Sequence, residues 1–211
     1  LNYSEQFFLI GSRMFISGFI LLIYSIFLLK KKKKILPTHI PLYLFLSIYN
    51  IYITNIYEIW GMNRMISSKT CIIYSLSPFI SALICKIFLL EKLNKQKYYG
   101  LFFGFIGVMP ILYNSSYVSK KDMFCISISD ISIMLAVISS IVGWCILRII
   151  LTFKYSTIVP NGYSMIVGGV LTLINSYIYE SWFPIPIFDL KKYTITIIIT
   201  AMISNIICYN F

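Results

Sequence analysis

The chain has 211 residues, of which 59% are hydrophobic and only 12% are charged, and its formal net charge is +11 at pH 7. A soluble domain carries about 25% charged residues, so this composition excludes an ordinary soluble globule and predicts a protein whose main solvent is lipid. Five of the eighteen basic residues form one run from Lys30 to Lys34, and this pattern predicts loops that face anionic lipid headgroups, with no nucleic-acid partner.

Seven apolar segments have about the length needed to cross roughly 30 Å of hydrocarbon. Because unpaired backbone groups are costly in lipid, each segment is predicted to be a helix. The fourth segment is short, and polar residues interrupt the second. The sequence therefore predicts an all-α, polytopic membrane helix bundle with transmembrane helices at residues 6–29, 39–58, 70–90, 98–113, 129–152, 162–180 and 192–211.

The positions of lysine and arginine predict the orientation of these helices. The connections after the first, third and fifth segments carry basic residues, whereas acidic residues dilute the basic ones in the opposite connections. The positive-inside rule then places the loop from Lys30 to Lys34 in the cytoplasm and Leu1 outside. We expect the chain to lie among the lipids of the cytoplasmic (inner) membrane of a bacterium, with a further helix before Leu1.

The first segment carries an arginine at Arg13, about seven residues into the predicted helix and on one face with Ser17. Arginine cannot lose its proton, so in a membrane it must bind a partner, reach the interface or face water. Arg13 either binds an anionic group of a transported molecule or extends to the lipid interface, and the sequence leaves both possibilities open.

A stripe of polar residues runs along the second segment at alternating spacings of four and three. Such a stripe either joins helices by hydrogen bonds or lines an aqueous path. Glu58 follows it at the outer level of the membrane. The stripe is predicted to be unbroken along one helical face and consists of Tyr43, Ser47, Asn50, Thr54 and Tyr57.

The third segment contains Pro78 together with Tyr74, Ser77 and Ser81 at helical spacing. Proline removes one backbone hydrogen bond and is expected to kink the helix. Freed backbone groups and hydroxyls in mid-membrane are typical of the interrupted helices that bind metabolites in transporters. The alternative is that Ser77 and Ser81 only repair the kink locally.

An internal repeat relates the first segment to the sixth. At an offset of 151, residues 11–27 and 162–178 are identical at six of seventeen positions, and at an offset of 150 the sequence ITNI at residues 53–56 matches ISNI at residues 203–206. We predict two inverted five-helix repeats, an architecture of secondary transporters. Residues 1–113 would hold helices two to five of the first repeat, 114–128 an extracytoplasmic loop, and 129–211 helices one to three of the second.

Residues 74–112 resemble the end of an EamA domain of the drug/metabolite transporter superfamily. The matching residues are Pro78, Glu91, Leu93, Gly100, Gly104, Gly107 and Val108, while Leu90 stands where the family usually has glycine. The resemblance implies a ten-helix fold with both ends in the cytoplasm and transport of small metabolites such as amino acids, nucleotides or sugar derivatives. This fold does not by itself choose a cargo.

We therefore predict a secondary transporter, or a fragment of one, that works by alternating access. The alternative is a non-transporting membrane assembly partner or the decayed remnant of a transporter. His39 is the only histidine, and the five cysteines lack ligand spacing, so we expect no catalytic residue, cofactor or metal site and no enzyme. The candidate substrate-binding residues are Arg13, Ser17, Tyr43, Ser47, Asn50, Thr54, Tyr74, Ser77, Pro78, Ser81, Ser164 and Asn175.

Overall fold

The structure is a computed structural model that describes residues 4–28, 37–65, 67–88, 94–113, 127–182 and 187–207. The predicted loop from Lys30 to Lys34, the family residues Leu90, Glu91 and Leu93, and residues 114–126 of the predicted 114–128 loop lie outside these ranges. Across the described ranges the chain is helical, apart from one isolated β-bridge between Ser4 and Ile187.

Seven long helices occupy the described part of the chain, one for each predicted segment. Helix α2 follows a 3₁₀ turn at Pro37–His39, and both α2 and α7 contain a π-helical stretch. The helices are α1 (Gln6–Leu28), α2 (Ile40–Leu46, π-helical Ser47–Ile53 and Thr54–Met62), α3 (Ser67–Ser75 and Ser77–Phe88), α4 (Lys95–Tyr113), α5 (Ile128–Thr152), α6 (Ile158–Tyr179) and α7 (Leu190–Thr200 and π-helical Ala201–Ile207).

Four helical stretches in the described residues are long and apolar enough to cross a membrane: Gln6–Phe27, Lys69–Phe88, Ile128–Thr152 and Ile158–Tyr179. Large apolar side chains on the outer surface of the bundle, such as Phe19 and Phe27, are exposed. Serine and asparagine side chains are buried between the helices instead. This arrangement is typical of a membrane bundle, in which lipid covers the apolar surface and small polar residues lie at the helix contacts. The predicted all-α polytopic fold is confirmed.

Helices α1 and α6 form the most extensive contact in the bundle, and they make it through glycines. A Cβ atom on Gly11 would lie 2.8 Å from Leu173, and a Cβ atom on Gly162 would lie 2.8 Å from Leu22. At the offset of 151, Gly11 is equivalent to Gly162 and Leu22 to Leu173. The same glycine–leucine contact therefore occurs twice, once with the glycine on α1 and once with the glycine on α6. Such exchange of partners is the pattern that a two-fold axis between equivalent helices produces.

A second pair of contacts repeats this exchange. A Cβ atom on Gly18 would lie 2.8 Å from Ile166, and a Cβ atom on Gly169 would lie 2.8 Å from the backbone nitrogen of Phe15. Phe15 and Ile166 are again equivalent at the offset of 151. The four glycines therefore allow the two helix backbones to approach closely along their length.

The neighbours of α1 and α6 follow the same arrangement, with α2 packed on α6 and α7 packed on α1. Gly168 of α6 lies against Ile51 of the π-helical stretch in α2. On the other side, the Asn205 Nδ2 atom donates a hydrogen bond of 2.9 Å to the Ser17 hydroxyl of α1. Both π-helical stretches thus lie against the central helix pair.

The start of α1 is fixed to the end of α6 by Glu180. The backbone N–H groups of Phe7 and Phe8 donate to the two carboxylate oxygens of Glu180, at 2.7 and 3.0 Å. Ser176 also donates to Glu180 and accepts a hydrogen bond from the Trp182 ring nitrogen. The carboxylate satisfies N–H groups that have no partner within a helical first turn, and its charge is favourable there. We call this end of the bundle the Trp182 end and the opposite end the His39 end.

Helix α5 connects the central pair to α3, because it packs on α2 along one side and on α3 along the other. At the Trp182 end, the Lys69 ammonium group lies 2.7 Å from the Asp130 carboxylate, which also accepts a hydrogen bond from the backbone of Ser127 and caps α5. Further along, Ile73 of α3 packs with Val137 and Ile141 of α5. These contacts hold α3 and α5 side by side.

Gly100, Gly104 and Gly107 of α4 recur at a spacing typical of helix packing, but within the described residues no helix packs closely against them. A Cβ atom on Gly100 or Gly107 would have nothing within 4 Å, and the nearest neighbour of one on Gly104 would be Phe79 at 3.8 Å. The contact recorded for α4 is with α3, and the side chains of Tyr98, Tyr99, Phe102 and Phe103 are exposed. The small residues of α6 do form a contact face, since Ser164, Gly168 and Thr172 are all buried.

The α1–α6 contact predicts that the same substitution destabilises the protein at one helical glycine and leaves its stability unchanged at another. Gly169→Val places methyl groups against the backbone of Phe15 and Gly11, which cannot move aside as a side chain can, and overpacking of this kind costs about 1–3 kcal/mol. We expect a lower midpoint of thermal unfolding in detergent. Gly107→Val introduces the same side chain into open space and is the matched control. An equal loss of stability in both variants would contradict the packing described here.

Candidate functional site

A cavity of about 300 Å³ lies between α3 and α5. Its volume is at the lower end of the range of about 300–1,000 Å³ that is typical of small-molecule sites. Helix α3 contributes Tyr74, Ser77, Pro78 and Ser81, and α5 contributes Val137, Ser140, Ile141 and Trp144. The walls therefore present an aromatic ring and hydroxyl groups from each of two helices.

The wall formed by α3 is shaped by an interruption of the helix at Leu76, two residues before Pro78. The backbone N–H of Leu76 donates to the Ile73 carbonyl, three residues back, and the Ser75 hydroxyl donates to the Ile72 carbonyl at 2.6 Å. Ser75 thus satisfies the carbonyl that a regular helix would pair with Leu76. The local repair falls to Ser75, while Ser77 and Ser81 line the cavity.

A charged group lies beside the cavity toward the Trp182 end. Tyr74, which lines the cavity, hydrogen-bonds to the carboxyl group of Glu58 on α2, and the Arg13 charge on α1 lies close enough to act on that carboxyl group. Three helices thus bring an acid, a base and a phenol together at one edge of the cavity. Glu58 was absent from the candidate residues; its position directly after the polar stripe of the second segment was the available signal.

The remaining candidate residues lie between helices, away from the lining of this cavity. Three of their hydroxyls donate to carbonyls of their own helices: Ser17 to Arg13, Ser47 to Tyr43 and Ser164 to Asn161, at 2.6–2.9 Å. Asn175 is buried on the same helix as Ser164. In the structure these residues belong to the contacts among α1, α2 and α6.

Asn50 is a special case among them, because it is only 1% exposed and both polar atoms of its amide lack a hydrogen-bond partner. It lies against Gly143 of α5, where a Cβ atom would approach the Asn50 side chain to 2.5 Å. The glycine lets α5 pass close to α2 at this point. A buried amide without partners carries a free-energy cost of about 1–3 kcal/mol.

The predicted unbroken stripe on α2 is wrong, because the π-helical stretch Ser47–Ile53 shifts the register of the helix faces. Tyr43, Ser47 and Asn50 are buried, but Tyr57 is 39% exposed, and Asn55 takes the buried position beyond the stretch. The Tyr49 carbonyl, displaced from regular helical pairing, accepts hydrogen bonds from Thr54 at 2.8 Å and from Ser139 of α5 at 2.7 Å. The stripe therefore serves the α2–α5 contact at this level.

An aromatic cluster at the His39 end was not foreseen from the sequence. The His39 Nδ1 atom lies 3.0 Å from the Tyr155 hydroxyl, and the His39 ring stacks on Phe153 with 4.2 Å between centroids. Tyr43 packs edge-on against both Tyr155 and Tyr163. The cluster joins the start of α2 to the connection between α5 and α6, more than a hundred residues away in sequence.

Within the described ranges, no group of three or more histidine, cysteine, aspartate or glutamate side chains is arranged to hold a metal ion. The cavity presents hydroxyls and aromatic rings, and the Glu58 carboxyl group adjoins it through Tyr74; such groups can bind and orient a polar molecule.

Comparisons with known proteins match one family model and several transporters. A model of the EamA-like transporter family matches residues 1–113. The chain is 31% identical over 208 residues to the S-adenosylmethionine/S-adenosylhomocysteine transporter of Chlamydia trachomatis serovar L2, a match that covers 96% of this chain and 63% of that protein. It is also 28% identical over 179 residues to the uncharacterized transporter YoaV of Bacillus subtilis, covering 81% of this chain and 57% of that protein. The chain thus spans about 63% of the length of the chlamydial relative.

A solved structure has the same fold. A crystal structure of a protein that is 12% identical in sequence superposes with a TM-score of 0.66 and covers 92% of this chain and 64% of that chain. At this level of identity the likeness concerns the fold alone. It supports the helical arrangement described above.

Some candidate residues line the cavity and others are buried in helix contacts. A cysteine introduced at a position of the first kind should react with a water-soluble reagent, and one at a position of the second kind should not. In a variant whose five cysteines are replaced by serine, we introduce Ser77→Cys or Ser81→Cys for the cavity and Ser17→Cys or Ser164→Cys for the helix contacts. Because a water-soluble maleimide needs an aqueous path, we expect it to label the first two and spare the buried second two, as measured by mass spectrometry in membranes. Labelling of Ser164→Cys with sparing of Ser81→Cys would contradict this assignment.

Proposed function

Because the chain belongs to the EamA-like transporter family, we propose that it carries a small polar metabolite across the membrane by alternating access. The observation that supports this most is the cavity between α3 and α5, in which an interrupted helix presents hydroxyls and Tyr74 hydrogen-bonds to the half-buried carboxyl group of Glu58, on which the Arg13 charge acts. Ionisable side chains are costly inside a membrane, and where they occur they usually mark a path for a substrate or ion.

The exchange of contacts between α1 and α6 supports two inverted repeats as the moving parts. In this proposal residues 1–113 belong to the first repeat, 114–128 connect the two, and 129–211 belong to the second. Inverted repeats open a site near the middle of the membrane to each side in turn, by the rocking of one repeat against the other. We propose the His39 end as the cytoplasmic end, since the lysine run precedes α2.

For the cargo we propose an adenosyl amino acid of the S-adenosylmethionine class, the kind of molecule for which the chlamydial relative is named. Such a molecule has an aromatic base, ribose hydroxyls, a sulfur centre and a zwitterionic amino acid end. The cavity offers complementary groups: the rings of Tyr74 and Trp144 for stacking and for the positive sulfonium, and hydroxyls for the ribose.

The amino acid end of this cargo carries a carboxylate and an ammonium group. In our proposal these groups bind at Arg13 and Glu58, respectively, with Tyr74 holding the Glu58 carboxyl group in place. The two opposite charges, which act on each other near Tyr74, would then each acquire a partner from the cargo. Charge-assisted hydrogen bonds of this kind are about twice as strong as neutral ones.

The test is uptake of radiolabelled S-adenosylmethionine into vesicles that contain the purified chain, with and without S-adenosylhomocysteine inside. We expect saturable uptake. Tyr74→Phe should lower the ratio of maximal rate to KM by about tenfold or more, because a hydrogen bond to a charged group contributes about 1.5–3 kcal/mol and 1.4 kcal/mol is a factor of ten.

Tyr24→Phe is the matched control, since it also removes one phenolic hydroxyl but from an exposed residue on α1. It should transport like the unmodified chain. Absence of saturable uptake would contradict the proposed cargo, and equal loss in both variants would contradict the proposed site.

A further inference from the structure

Two cysteines meet where α3 and α5 come together toward the His39 end. The Cys85 Sγ atom of α3 lies 4.0 Å from the Cys145 Sγ atom of α5, beyond the length of a disulfide bond. Cys85 is half-buried and Cys145 is buried. In sequence the two residues are 60 positions apart, so only the packing of the two helices brings them together.

The pair lies directly next to the cavity. Cys85 follows Ser81 by one helical turn, and Cys145 follows Ile141 by one turn and adjoins Trp144, all of which line the cavity. The Arg148 guanidinium group, which is exposed, donates a hydrogen bond of 3.8 Å to the Cys85 sulfur. Cys85 is thus the more accessible of the two thiols, with a positive charge beside it.

The same two helices are joined at their other end by the ion pair between Lys69 and Asp130. The ion pair holds the α3–α5 interface at the Trp182 end. A bond between the two sulfurs would hold the same interface toward the His39 end. No other pair of cysteine sulfurs in the described residues is recorded at such a distance.

We propose that Cys85 and Cys145 form a site of reversible oxidation, and that their disulfide locks α3 to α5 and stops transport. The lock rests on the proposed transport function, because alternating access requires the walls of the cavity to move relative to each other. The oxidation site itself rests only on the positions of the two thiols.

The co-reactant is a low-molecular-weight disulfide such as oxidised glutathione. The Cys85 sulfur attacks one sulfur of this disulfide, which forms a mixed disulfide and releases one small thiol. The Cys145 sulfur then attacks the Cys85 sulfur and releases the second small thiol. The two protons lost by the cysteines end on the two small thiols, so the protein is oxidised by two electrons and the small disulfide is reduced.

The sulfurs must approach from 4.0 Å to the bonded distance of about 2.05 Å, a change that rotation of the cysteine side chains and a small helix shift can supply. The anionic character of oxidised glutathione favours approach beside Arg148. In a reducing cytoplasm the pair would rest as thiols and would oxidise only when small disulfides accumulate.

The experiment uses the chain in vesicles with Cys71, Cys125 and Cys208 replaced by serine, so that only the proposed pair remains. Oxidised glutathione is added and then removed. Mass spectrometry of unreduced peptides measures the bond, and uptake of radiolabelled S-adenosylmethionine measures transport before oxidation, after it and after dithiothreitol. We expect the bond to form, uptake to fall to the level of empty vesicles, and dithiothreitol to restore it.

Cys85→Ser and Cys145→Ser in the same background should each transport normally and resist oxidised glutathione. Failure of the bond to form in the folded protein would overturn the oxidation site. A bond that forms without loss of uptake would overturn the lock. Absence of uptake by the reduced protein would overturn the proposed function and with it the lock, whereas the oxidation site is still decided by the mass measurement.

Discussion

The close approach of α1 and α6 is the contact on which the rest of the bundle depends. Lipid is as apolar as a leucine side chain, so the hydrophobic effect does not draw these helices together; van der Waals contact between backbones that approach closely does. Gly11, Gly18, Gly162 and Gly169 make that approach possible, and each would clash with the opposite helix if it carried a Cβ atom. Glu180 then fixes the register by accepting two backbone hydrogen bonds from the first turn of α1.

From this central pair the packing passes outward through α2 to α5 and from α5 to α3. Gly143 brings α5 against α2, and the ion pair between Lys69 and Asp130 brings α3 against α5. The interruption at Leu76 then leaves room between α3 and α5, since a helix broken near its middle cannot pack evenly along a straight one. The cavity is thus a consequence of one proline in a wall whose position is set by contacts elsewhere.

The sequence was sufficient for features that depend on local composition or on spacing along one helix. Apolar length predicted all seven helices, Pro78 predicted the interruption of α3, and the offset of 151 pointed to the two helices that meet at the centre.

The sequence was not sufficient where the contacting residues come from distant segments. The polar stripe on α2 was predicted for a regular α-helix. The π-helical stretch changes the number of residues per turn, so Tyr57 lies on an exposed face and not beside Asn50. The glycines of α4 look like those of α1, but a glycine face is a contact only when another helix covers it. Arg13, Glu58 and Tyr74 lie on three different helices. Their interaction depends on how those helices pack, and spacing within one segment could not predict it.

The proposed cargo site lies between α3 and α5, at the edge where Tyr74 hydrogen-bonds to Glu58. Photolabelling with an azidoadenine analogue of S-adenosylmethionine, followed by peptide mapping, tests it most directly because the label reports position whether or not transport is fast. We expect attachment within residues 74–81 and 137–144, and loss of attachment when unlabelled S-adenosylmethionine is in excess. Competed attachment confined to the α1–α6 contact would contradict it.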